Sequence, residues 1–184
     1  MATVHQLKVT IAGTKPPVWR RVVVSSQSTL AKLHVVVQAA FGWWGYHLHE
    51  FDISGVRYGT DDGEDWDPPK DERRGRLEKL APAGSSFTYI YDFGDDWRHK
   101  ITVEKVTPAD PSVTYPVCSG GRRARPPEDC GDVGGFEDML AVLADPADGE
   151  HASMVEWVGG AFDPQAFDSS EFAVNFKHRS AQEP

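Results

Sequence analysis

Two neighbouring segments constrain this chain more than anything else in it. Phe87, Tyr89, Tyr91 and Phe93 recur at every second position, and so do Trp97, His99, Ile101 and Val103. A period of two puts each set on one face of a β-strand. Gly94-Asp95-Asp96 between them is too short for anything but a hairpin. An antiparallel ribbon with one aromatic face must find a second layer to cover that face.

The chain supplies both layers. Val4–Ile11 and Val18–Val24 are β-branched runs separated by the loop Gly13-Thr-Lys-Pro-Pro17. Ser28 is positioned to cap a helix in which Leu30, Leu33, His34, Val37, Ala40 and Phe41 recur at steps of three and four, and Gly42 ends it. His47–Ile53 alternates as a further strand, with His47, His49, Phe51 and Ile53 on one face. Residues 60–75 are acidic and Pro-bearing, as an exposed loop would be, and a short helical turn follows at Arg76–Leu80. From about 107 to 135 the composition turns to Pro and Gly, which predicts an irregular arm. Beyond it, 136–178 reads as helical. Phe136, Met139, Leu140 and Leu143 form one stripe, Met154, Val155 and Val158 a shorter one, and Asp168-Ser-Ser-Glu171 starts a last helix. Strands first and helices later predict an α+β fold: an antiparallel sheet with hairpins in the first two thirds, and helices packed on one face and in the C-terminal third. With 184 residues and no internal repeat, one domain over 1–184 is expected.

Composition excludes several classes of function. No apolar run approaches the ~18 residues of a membrane span, and the amino terminus lacks a leader's apolar stretch. Cys118 and Cys130 are the only cysteines, which rules out a disulfide framework and fits a reducing cytoplasm. The formal net charge is −9, yet residues 1–49 hold no acid and five bases (Lys8, Lys15, Arg20, Arg21, Lys32). A global acidic excess repels phosphate backbones, so nucleic acid is the less favoured partner. No Walker A loop, nucleophile elbow or dinucleotide fingerprint is present.

Two strings carry the chemistry. Tyr91-Asp-Phe-Gly-Asp-Asp-Trp-Arg-His99 gathers Asp92, Asp95, Asp96 and His99 at a hairpin, where crowded carboxylates invite a cation or shift one another's titration. Asp and Gly are also what a turn needs for backbone reasons. His47-Leu-His49 offers two imidazoles at i and i+2 on a strand, a common way to present metal ligands. A divalent metal would draw on His47, His49, Asp92 and His99, and His49, Asp92, Asp96 and His99 are the candidate acid–base groups. Arg20 or Arg21 would clamp an anion, Trp43, Trp44, Tyr91 and Trp97 would wall the pocket, and Glu128 and Asp129 would close it from the arm. Cys118 and Cys130 supply at most half of a zinc site. Asp61, Gly63, Asp65 and Asp67 only superficially match a calcium loop, since Trp66 stands where that loop requires Gly.

Taken together, Pro17-Val-Trp-Arg-Arg21, Thr29-Leu-Ala-Lys-Leu-His34, Phe41-Gly-Trp43, His47-Leu-His-Glu-Phe51, Tyr91–His99 and Pro126-Pro-Glu-Asp-Cys-Gly131 resemble the plasmid pRiA4b ORF-3-like family in order and spacing. Trp157 and Phe162-Asp-Pro164 extend the resemblance, which spans about residues 4–176. It implies an α+β domain of bacteria and archaea found on plasmids, chromosomes and insertion elements, and no agreed activity. Some members carry a resolvase-like name, but no serine or tyrosine recombinase constellation is present. Members often have a further Cys before the Pro-Pro-Glu-Asp string, where this chain has Arg125. Two functions compete. One is a His/Asp pocket that binds a small molecule or metal ion, with or without catalysis. The other is a non-catalytic accessory module of a mobile element, whose polarised charge would hold a protein or nucleic-acid partner.

Overall fold

A computed structural model describes residues 1–61, 63 and 66–181. The element order is β1 (Thr3–Ile11), β2 (Trp19–Ser25), α1 (Leu30–Phe41), β3 (His49–Ile53), β4 (Val56–Gly59), β5 (Lys70–Asp71), α2 (Leu77–Leu80), β6 (Ser86–Tyr91), β7 (Trp97–Pro108), β8 (Val117–Arg122), α3 (Val133–Ala144), α4 (His151–Trp157) and α5 (Glu171–Ser180). The strands form one eight-stranded sheet in the order β5-β4-β3-β6-β7-β1-β2-β8. Every pairing is antiparallel except β4–β5. The fold is therefore α+β.

The aromatic hairpin forms as its alternation predicts, with Tyr91 opposite Trp97 and Phe87 opposite Ile101. Its buried face continues across the sheet through Phe51 and Ile53 on β3, Leu7, Val9 and Ile11 on β1, and Val22 and Val24 on β2. The amphipathic helix α1 covers this face, contributing Leu30, Leu33, Val37 and Phe41 to the same core. Burying each such side chain contributes about 1.5–3 kcal/mol, so this one layer contact outweighs any single polar interaction in the molecule. Gly42 ends α1 in the left-handed conformation (φ 64°), where its N–H reaches the carbonyls of Ala39 and Gln38. The chain can then double back, and Trp43 drops into the core with its Nε1 donating to the Pro126 carbonyl at 2.9 Å.

The structure departs from the sequence reading in several places. Thr29, not Ser28, caps α1, its hydroxyl accepting from the Lys32 N–H at 3.2 Å. The third strand starts at His49, so His47 lies outside it. Phe93 does not share the buried face with Phe87, Tyr89 and Tyr91, because the chain turns at Asp92 (φ 59°) and leaves Phe93 exposed. The arm of 107–135 contains β8, which extends the sheet beyond β2 despite its two glycines. Opposite β2 a strand needs free backbone N–H and C=O groups more than apolar side chains, so a Pro/Gly-rich context hid it. The last helix begins without a side-chain cap, because Asp168 bonds the Ser170 N–H in a turn before it. Of the superficially calcium-like loop, Asp65 lies outside the described residues.

Candidate metal centre and adjoining cleft

Successive residues of a strand face opposite sides of a sheet, and this sorts the predicted site residues. Arg20 points into the covered side and is 4% exposed. Arg21 points to the open side, where Nε and Nη2 grip Glu104 at 2.7 and 2.8 Å. Lys8 sits over the Trp19 ring on that open side, while Lys32 on α1 lies over Phe176. The five bases of the first 49 residues therefore do not form one polarised patch.

The three histidines that the sequence offered together are separated. His99 is wholly buried, with Nδ1–H donating to the Trp97 carbonyl at 2.9 Å and its ring among Phe41, Trp43 and Tyr89. Burial lowers its pKa to about 4. His49 turns beneath α1, stacks on His34 with ring centroids 3.5 Å apart, and bonds Glu72 through Nε2 at 2.9 Å. His34 in turn reaches the Tyr89 hydroxyl at 2.8 Å, and its pKa is pushed well down, first by burial and then by His49. Glu72 and His34 are partners that the sequence reading missed, and only tertiary packing brings them to His49.

His47 takes the third direction. The left-handed Gly45 (φ 68°) ends the turn after α1 and releases the chain toward the sheet rim. There His47 Nε2 lies 3.4 Å from Asp92 Oδ2 and 3.2 Å from Asp129 Oδ1. One ligand atom from each of the three residues lies within 4.8 Å of the others. The carboxylates are held from behind. Asp92 Oδ1 accepts from the N–H groups of Gly94 and Asp95, at 3.0 and 3.4 Å, leaving Oδ2 toward His47. Asp129 Oδ2 accepts from the Tyr46 hydroxyl at 2.7 Å, leaving Oδ1 inward. This bond, ahead of every other cause, pushes the Tyr46 phenol up to about 12. Asp92 and Asp129 both adopt positive φ, 59° and 57°. At Asp92 the bonds from its side chain to the Gly94 and Asp95 N–H groups support that conformation.

The hairpin's other two aspartates part company. Asp95 has a buried Oδ2 with no hydrogen-bond partner among the described residues, and burial, followed by the charges of Asp92 and Asp129, raises its carboxyl pKa. Asp96 faces solvent and pairs with Arg98 at 2.8 Å. Turn geometry accounts for Asp96 but not for an uncompensated carboxylate oxygen beside two others.

Beside this triad opens a cleft of about 930 Å³, lined by Trp44, Glu128 and Asp129 on the triad side and by Arg20, Arg125, Cys118, Phe167 and Asn175 deeper in. Glu128 bonds the Trp44 N–H and the Tyr91 hydroxyl, and burial raises its pKa. Trp43, Tyr91 and Trp97, expected as walls, are core residues beneath the site, whereas Trp44 lines the cleft. Cys118 and Cys130 are free, and burial raises both thiols, Cys130 to about 12, so neither is poised as a thiolate. Phe167 and Asn175 escaped the sequence reading, and Arg125 entered it only as the residue before Pro-Pro-Glu-Asp, not as part of a site. Arg20, Phe41, Glu128, Asp129, Trp157, Phe162 and Asp168 of this wall all stand in strings that the sequence singles out.

The family model for plasmid pRiA4b ORF-3-like proteins matches residues 3–171. The chain is 41% identical over 178 residues to the uncharacterized protein y4hQ of Sinorhizobium fredii, covering 96% of this chain and 88% of that one. It is similar to the crystal structure of the protein of unknown function MM3350 from Methanosarcina mazei Go1, with a TM-score of 0.84 and 37% identity over 93% of this chain and 97% of that chain. No helix among the described residues is long and apolar enough to cross a membrane. With its fold, its motif order and nearly its whole length in agreement, the chain belongs to the plasmid pRiA4b ORF-3-like protein family.

Proposed function

We propose that this protein binds a divalent metal ion through His47 Nε2, Asp92 Oδ2 and Asp129 Oδ1, and presents it to a small molecule in the adjoining cleft. The observation that carries this reading is the convergence of those three atoms within 4.8 Å, with the second oxygen of each carboxylate already bonded elsewhere. A ligating carboxylate fixed through its other oxygen is the arrangement in which outer groups orient metal ligands. One imidazole and two carboxylates suit Mn²⁺ or Zn²⁺ better than Ca²⁺, which takes six or more oxygens. Three protein ligands leave coordination positions for water or a ligand, as catalytic metal sites do. His49 and His99 have no part in this set, and Asp95 stands next to it as an additional acceptor.

Elemental analysis of untagged protein, followed by calorimetric titration of Mn²⁺ and Zn²⁺ into chelator-treated protein, tests the reading. Wild type binds one ion per chain, and His47→Ala and Asp92→Asn each weaken it at least tenfold while the far-ultraviolet circular dichroism stays unchanged. Wild type that takes up neither ion, or variants that bind as tightly as wild type, overturn it.

A further inference from the structure

The cleft carries a second feature that the metal centre does not use. Arg20 and Arg125 both line it, and among the described residues neither guanidinium has a carboxylate within 4.0 Å. Arg20 is sandwiched between the rings of Phe41 and Phe167, 5.1 and 4.7 Å from their centroids. Its Nε donates to the Ala40 carbonyl at the end of α1, and Nη1 donates to the carbonyls of Trp19 and Arg122. Among the described residues Nη2 has no acceptor. Among the described residues Arg125 makes one long hydrogen bond, 3.5 Å from Nη1 to its neighbour's carbonyl at Pro126, and its Nε and Nη2 have no acceptor there. Both guanidiniums are pulled below their usual pKa, Arg20 to about 10, with burial the largest cause and Arg125 itself a contributor for Arg20.

A buried cation normally has a partner, because desolvation without compensation costs several kcal/mol. Here buried Arg20 and half-buried Arg125 line one cavity, repel each other, and keep N–H donors that are unused among the described residues. Glu128, the larger influence on Arg125, and Glu171 line the same cleft with Asp129 and Asp168, and the two glutamates relieve part of that charge from beyond ion-pair distance. Around them the wall is aromatic, with Trp44, Trp157, Phe162, Phe167 and Phe172. We infer that the cleft is a binding site for a small organic oxyanion, its acidic group held by Arg20 Nη2 and Arg125 and its apolar or aromatic body packed along that wall. The planar guanidinium fork matches the oxygens of a phosphate monoester or a carboxylate, and the pair of cations supplies the countercharge.

This site stands without the metal, so the two proposals can fail separately. Phenyl phosphate, benzoate and phenol are titrated into the protein in excess chelator, with affinity read by calorimetry. At least one of the two anions binds at or below millimolar concentration, and phenol binds at least tenfold more weakly. Whichever anion is tighter identifies the head group. Arg125→Gln weakens the anion at least tenfold, whereas Asp92→Asn, which abolishes the proposed metal site, leaves anion affinity within about twofold. Arg20 braces α1 and β8, so Arg20→Lys is informative only beside an unchanged circular dichroism spectrum, and Arg125→Gln carries the test. Equal affinity for phenol and the anions, no binding of either anion at 10 mM, or wild-type affinity in Arg125→Gln overturns the inference.

Discussion

Replacing His99 by leucine should flatten the acid end of this protein's stability profile. His99 is 0% exposed, its Nδ1–H is committed to the Trp97 carbonyl, and Nε2 has no hydrogen-bond partner among the described residues. Protonation would put a charge inside a cage of Phe41, Trp43 and Tyr89, and burial accordingly lowers the pKa from 6.5 to about 4. In the unfolded chain the same imidazole takes its proton near 6.5. As pH falls below 6.5 the unfolded state binds more protons than the folded one, so stability declines until pH reaches about 4 and then levels off for this group. Linkage puts the full loss at about 3 kcal/mol, most of it between pH 7.5 and 4.5. Leucine has a similar volume and no titratable atom. Its cost at pH 7.5 is the hydrogen bond to Trp97, about 1 kcal/mol, partly offset by removing the unpaired Nε2. Urea unfolding followed by tryptophan fluorescence at pH 7.5 and 4.5 gives the difference directly. Wild type should lose at least 2 kcal/mol more than His99→Leu over that interval. His5, buried, and His34, half-buried, both with lowered pKa values, keep a residual acid dependence in the variant. Equal losses in wild type and variant would mean that His99 is hydrated or charged in the folded protein, and the burial argument would be wrong.

Two further outcomes follow from the geometry. Arg21 and Gln6 hold Glu104 at about 2, against an ordinary 4.5. The stability this contributes is complete above pH 4.5 and disappears as pH drops toward 2. The pair is about a quarter exposed, so screening reduces the contribution to about 1–2 kcal/mol, and Glu104→Gln should lower urea-midpoint stability by that amount at pH 7 while losing the difference at pH 2.5. Tyr46→Phe removes the hydroxyl that fixes Asp129 Oδ2. It should weaken Mn²⁺ or Zn²⁺ by about tenfold with little change in stability, as read by calorimetry and thermal melting, because outer groups orient ligands and this one is largely exposed.

Local pattern made much of this molecule readable. The alternation of Phe87, Tyr89 and Tyr91 against Trp97, His99 and Ile101 implies its hairpin, and Leu30 to Phe41 implies α1, because a side-chain period translates directly into a buried face. β8 left no such trace, since a strand added at a sheet edge is held mainly by backbone bonds, and the backbone is the same in every sequence. The site was half legible. Asp92, Asp129 and His47 were each singled out, but strand phase assigned His47 to the same face as His49 and Phe51. The turn at Gly45 breaks that phase and sends His47 to the rim while His49 goes under α1.

By itself, then, the order of residues determined which segments would be strands and helices, which face of each would be dry, and that acids would crowd at the hairpin tip, all consequences of spacing over a few positions. Tertiary structure alone decided partnership: that Asp129 would reach Asp92 from 37 residues away, that Glu72 would take His49, and that Arg20 and Arg125 would share one cavity. Those pairings depend on where strands and loops cross in space. No short-range periodicity encodes that distance, because it is set by how the whole sheet packs against its helices.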